Sequence, residues 1–244
     1  MRVHMTAVKD LTQVKMEHAD ELKQQIMQLC LRHCAASDDR TLLRIGSYLG
    51  DFTNNLRSAL NYTMGKMIEL KLKPALLPSD YRKVKRDHDF PWANDRTRFD
   101  NITIVTHFRS HYPQLYAFLE SAQPYHQSKE WLRYLMRISN RDKHEIINEV
   151  SSPDIVDVVA VGSDGTTHAK PEFFGDYLLV VAAKKPHLHP LPFYYRPYGA
   201  FATNSGKWSI YYVLLDQSKI GLIQFTERTL VNVEQVIKDI AALM

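Results

Sequence analysis

Long hydrophobic runs are missing from this chain of 244 residues. No apolar stretch approaches the ~20 residues that a membrane-crossing helix needs. The opening residues, MRVHMTAVKDLTQVKMEHADEL, lack the apolar core of a signal peptide. Cysteine is nearly absent: the two present, Cys30 and Cys34, fall within one turn of an expected helix. A bridge between them would staple nothing distant, which excludes a disulfide framework. Both read as reduced thiols, and a cytoplasmic location without membrane association is expected. Glycine is scarce, nine in all, and nowhere clustered as a phosphate-cradling loop requires. Strong charge of one sign is also missing. Lysine and arginine total 31 against 27 aspartate and glutamate, a formal charge of +4, which permits an anionic partner without demanding one.

What is present is helical periodicity. Leu11, Val14, His18, Leu22, Ile26, Leu29 and His33 recur at three and four, predicting a helix over 5–36. Leu42, Ile45, Leu49, Phe52, Leu56, Leu60, Met64 and Met67 continue that spacing without a break and predict a second helix to about Lys71. Two such helices joined by a short turn should pack as an antiparallel hairpin. Pro74, Pro78 and Pro91 then interrupt regular structure, so 72–98 reads as a long loop over the bundle. Shorter helices are expected at 99–109 and 113–121, and a longer one at 127–147 anchored by Trp131, Leu132, Leu135 and Ile138. Beyond Ser151-Ser152-Pro153 the period becomes strand-like in DIVDVVAVG, YLLVVAAKK, WSIYYVLLD and IGLIQFTE. A last helix carries Leu230, Val233, Ile237, Ile240 and Ala241. The expected class is α+β. A mainly antiparallel helical bundle (1–150, with the 72–98 loop) precedes a β-rich region (151–244) with a small antiparallel sheet and a terminal helix, packed together as one unit.

One stretch breaks the pattern. In MRISNRDKHEII, residues 136 to 147, the polar residues Asn140, Arg141, Asp142, Lys143 and His144 divide two apolar segments. On the second helix, Arg57 and Asn61 lie one turn apart at the margin of the apolar stripe. A desolvated arginine needs an acceptor. Asp142, by its spacing from Leu135 and Ile138, is the expected partner, with Asn61, Asn140, Lys143 and His144 around the pair.

These residues carry a resemblance. GDFTNNLRSALNYTM resembles the GD…NLRSALDH motif of a widespread family of uncharacterised bacterial proteins. HADEL near the start, Phe90-Pro91, Gln123-Pro124-Tyr125 and the N-x-D-K-H of Asn140 to His144 follow in that family's order. The family's bundle is similar to the HEPN superfamily, which includes metal-independent ribonucleases. Those enzymes use an arginine followed four to six residues later by a histidine, usually at a dimer interface. The resemblance therefore implies RNA binding, and RNA cleavage in bacterial defence or stress, by a homodimer without metal or cofactor.

The chain departs from that pattern at one point. Tyr62 stands where the histidine after Arg57 belongs, and a phenol with an ordinary pKa near ~10 does not exchange protons near neutrality as imidazole does. Arg137 with His144, and Arg82 with His88, also fit the loose spacing. The catalytic candidates are His144 as acid or base with Arg137 and Arg141 supplying charge. The polar cluster is Arg57, Asn61, Asn140, Asp142 and Lys143. Arg82, Lys83, Lys85 and Arg86 are candidate phosphate contacts.

Other readings stand beside these. The cluster can be a structural clasp in a non-catalytic interaction module, or in a small-molecule sensor, so enzymatic activity stays open. His107 and His111 show zinc-like spacing without a third ligand, and no metal site is expected. The aromatic and proline-rich KKPHLHPLPFYYRPYGAF, residues 184 to 201, reads as a loop covering the sheet, with RNA contact as its alternative.

Overall fold

The three-and-four spacing of the second helix organises the fold. A computed structural model describes residues 10–35, 39–127, 129–143 and 222–244, with further short backbone segments between Val150 and Gly221. Side chains are described for 10–30, 40–127, 129–140 and 222–244. The elements are α1 (Leu11–Ala35), α2 (Asp39–Met67), a π-helical turn (Ile68–Leu72), α3 (Lys73–Ala75), α4 (Pro78–Arg86), α5 (Arg96–Asp100), α6 (Thr103–His111), α7 (Pro113–Ser121), α8 (Glu130–Lys143) and α9 (Leu222–Ala242).

Two units divide the chain. The first comprises 1–24, 47–148 and 225–244, and the second 25–46 and 149–224. Residues 25–46 of the helical hairpin fall in the second unit and nearly all of α9 in the first. Within the first unit, Leu49, Phe52, Leu56, Leu60, Met64 and Met67 of α2 are all fully buried. The first part of α1 runs antiparallel to them: Lys66 bonds Asp10, and Lys15 reaches Asn55 Oδ1 at 3.0 Å. The buried line of α1 in this unit is Thr12, Ala19 and Leu22, so Leu11 and His18, placed on the apolar face from sequence, lie outside the core. α6, α7 and α8 contribute Phe108, Leu119, Leu132 and Leu135, and α9 contributes Val233 and Ile240. In the second unit Ile26, Leu29, Cys30 and Ile45 are buried.

The expected α+β class is corrected: the fold is mainly helical. Residues with described side chains are 83% helical and contain no strand. Every core side chain among them lies on a helix or a connection between helices. Between Val150 and Gly221 only short extended backbone segments are described, the longest being Val156–Val161. They pair antiparallel, as Val158 does with Ala182, and sit in the second unit. The β-branched runs were strand-forming in propensity, but strand propensity reports a local preference and not a layer of the core. The aromatic stretch at 184–201, expected as a loop covering the sheet, lies outside the described residues apart from the backbone of Tyr194, Tyr195 and Phe201.

A second correction concerns 72–98, which is not one long loop. Pro78 stands in the first turn of α4, where its missing N–H costs nothing. Asp80 in the first turn and Lys83, Lys85 and Arg86 in the last complement the helix dipole. Asp95 caps α5 by accepting from the Arg98 N–H at 2.9 Å. The irregular remainder is a short strap, 87–95, whose Phe90 and Ala93 are buried.

Candidate functional site

α2 aims Arg57 and Asn61 at this strap from adjacent turns. Arg57 Nη1 donates to Asn140 Oδ1 on α8 at 2.5 Å, and Nη2 donates to Asp89 Oδ2 at 3.2 Å. Asn61 Nδ2 donates to the other oxygen of Asp89 at 2.7 Å, and its Oδ1 accepts the Phe90 N–H at 2.9 Å. One turn back, Asn54 Oδ1 accepts from Ser139 Oγ at 2.7 Å. Arg57 is 13% exposed and Asp89 61%, so the ion pair is half inside and half in water. Among the described residues the acceptors of Arg57 are Asp89 and Asn140; the side chain of the expected acceptor, Asp142, lies outside them. The charge need was legible in the sequence, and one acceptor comes from a segment read as loop.

Gln123 fixes the strap's other end and is fully buried. Its Oε1 accepts the Ala93 N–H at 2.9 Å, while Nε2 donates to Pro91 O at 3.0 Å and Leu119 O at 2.9 Å. The turn that follows places Tyr125 Oη 3.2 Å and His126 Nε2 3.0 Å from Glu120 Oε1. Burial, reinforced by the Glu120 charge, pushes the Tyr125 phenol above its usual range. Asp89 and Gln123 were not among the candidate site residues, although Gln123 belongs to a motif noted for the resemblance. The signal that would have found it is a long amide side chain beside a proline, where exposed backbone groups need partners.

The catalytic candidates are only partly described. Arg137 is exposed on α8. Arg141, Asp142 and Lys143 continue that helix, with side chains outside the described residues, and His144 lies outside them altogether. Tyr62, one residue past Asn61, is 40% exposed and lines a groove together with Asn61 and His88.

The four basic candidates lie on α4 and are exposed. Lys85 Nζ donates to Glu69 Oε1 at 2.9 Å and Lys83 pairs with Asp80 at 3.3 Å. Glu69, on the π-helical turn, also accepts from Tyr81 Oη and, at 2.9 Å, from Lys73. The Tyr81 bond first, then Lys85 and Lys73, hold the Glu69 carboxyl down to about 2. Lys85 and Lys73 are raised in turn, chiefly by their bonds to Glu69. Glu69 is thus a staple that ties α4 to the end of α2.

His107 and His111 both lie on α6, and among the described residues no group of three or more His, Cys, Asp or Glu is placed to hold a metal ion. Among those residues no helix is long and apolar enough to cross a membrane. No family model, curated protein or solved structure matches the chain.

Proposed function

We propose that this chain is a binding protein in which the Arg57 motif is a structural clasp and not a nuclease site. The observation that carries the reading is the engagement of Arg57. Its guanidinium donates to Asn140 and Asp89, leaving it poorly placed to stabilise a phosphate, and the neighbouring position holds Tyr62 in place of a proton-exchanging imidazole. The motifs Arg57-to-Asn61, Phe90-Pro91, Gln123 and Asn140 all serve one physical task, which is to hold residues 89–93 against the bundle.

RNA is the partner favoured by a separate observation. Arg82, Lys83 and Arg86 are exposed at one end of α4, on a helix steadied by the Glu69 staple. Lys85 is held by Glu69, and Lys83, at the longer distance of 3.3 Å, by Asp80, so Arg82 and Arg86 carry most of the attraction, with Lys83 after them. Long cations of this kind bind phosphate by counterion release, with a salt slope of about 0.7 per contact on single strands.

The test uses a labelled mixed-sequence single-stranded RNA, followed by anisotropy at two salt concentrations and by gel. Expected are salt-dependent binding, a weaker and flatter response in the Arg82/Lys83/Arg86→Ala variant, and intact RNA throughout. Cleavage by the wild type that disappears in His144→Ala would overturn the non-catalytic reading. Absence of binding at low salt would remove RNA as the partner, and light scattering then reports whether a second copy takes its place.

A further inference from the structure

We infer that an open groove beside the clasp, along the C-terminal part of α2 and bordered by Asn61 and His88, is a binding site for a small molecule of zero net charge, with a flat apolar body and a polar edge. The groove holds about 780 Å³, inside the range of ~300–1,000 Å³ typical of ligand sites. Leu11, Tyr62, Gly65, Ile68 and Leu70 form its apolar lining. Leu11, Tyr62 and Leu70 are 55%, 40% and 59% exposed. Single exposed apolar side chains need no explanation, but three converging on one concavity do.

Backbone features deepen the groove. Gly65 sits inside α2, where glycine is less stable than alanine. A Cβ built there meets nothing within 4 Å, so no close approach of neighbouring atoms requires glycine. What its missing side chain supplies is depth in the groove that it lines with Tyr62. The π-helical turn then buries Ile68 and Leu72 while Leu70 stays outward. Such turns within helices often accompany functional sites.

The rim charges select the ligand's charge. Lys66 is bonded to Asp10, and Lys85 to Glu69. Two cations and two anions cancel pairwise, so an ion of either sign finds no unspent counter-charge among these four. Tyr62 Oη and His88 offer hydrogen bonds to the ligand's polar edge. The inference goes beyond RNA binding, because Arg82, Lys83 and Arg86 do not line the groove.

The experiment uses the full chain and the uncharged dye N-phenyl-naphthylamine, with its sulfonated analogue for comparison. The uncharged dye should bind saturably, one per chain, and no more weakly than the sulfonated one. Gly65→Trp fills the groove and should weaken dye binding by about tenfold or more with an undiminished melting temperature. Should Gly65→Trp fail to fold, Leu70→Asp, a surface change, should give the same loss. The Arg82/Lys83/Arg86→Ala variant should leave dye binding unchanged, which separates this site from the RNA reading. Unsaturable dye binding, clear preference for the sulfonate, or full binding in both groove variants would overturn the proposal. So would a wild-type dimer that Gly65→Trp converts to monomer, since a second copy would then occupy the groove.

Discussion

Two consecutive stretches of the same helix differ in how their polar groups are satisfied. Along the first, Arg57 and Asn61 of α2 meet the strap and bond Asp89, Phe90 and Asn140. Along the next, Tyr62, Gly65 and Lys66 border an open groove with exposed apolar side chains, which Asn61 and His88 also line. A polar network whose members satisfy one another specifies a conformation and has little left for a ligand. An apolar concavity with polar groups at its edge has the opposite character. Arg57 and Asn61, the part of the expected polar cluster carried by α2, belong to the bonded stretch.

The largest effect should come from breaking the strap's buried anchor. Gln123→Ala leaves the Ala93 N–H and two carbonyls without partners and should cost about 2–4 kcal/mol in a denaturant melt. Arg57→Ala should cost less, about 1–3 kcal/mol, because Asp89 is mostly in water and can be rehydrated. Arg57→Lys should recover little of this, since one ammonium cannot span Asn140 and Asp89 as the fork does. Along the groove the sign should reverse: Gly65→Ala should stabilise by about 0.5–1 kcal/mol, as its Cβ has free space and the helix gains propensity.

The smallest effect is the Glu69 staple. Its carboxyl is depressed from 4.5 to about 2, so its contribution is fully present above the unfolded value and fades as pH falls toward the folded one. NMR signals of α4 should hold steady from neutral pH to about pH 4–5 and move as pH approaches about 2, with the step absent in Glu69→Gln.

The sequence made the helices legible where the burial pattern is continuous. The line from Ile45 to Met67 is buried throughout because an unbroken three-and-four repeat leaves one face of a helix apolar whatever packs on it. It also showed that Arg57 needs an acceptor. It did not show Asp89 among the acceptors, because Asp89 arrives on an irregular strap whose path depends on Gln123 and the helices it crosses, and no periodicity encodes that path. α4 was hidden by counting prolines as breakers, though Pro78 followed by Asp80 and a basic last turn is a helix start and stop. The groove was invisible for a simpler reason: Leu11 belongs by spacing to an apolar stripe, and only packing reveals that it was left outside.

Hydrogen exchange at the Phe90 amide tests the clasp most directly. That N–H has Asn61 Oδ1 as its acceptor, 2.9 Å away, so its protection reports the side chain of α2 and not a helical ladder. In wild-type protein the Phe90 amide should exchange slowly, and in Asn61→Ala it should speed up while the amides of Leu56 and Leu60 in α2 keep their protection. A Phe90 amide that exchanges at the rate of an unstructured peptide in the wild type, or that is unmoved by Asn61→Ala, would contradict the clasp.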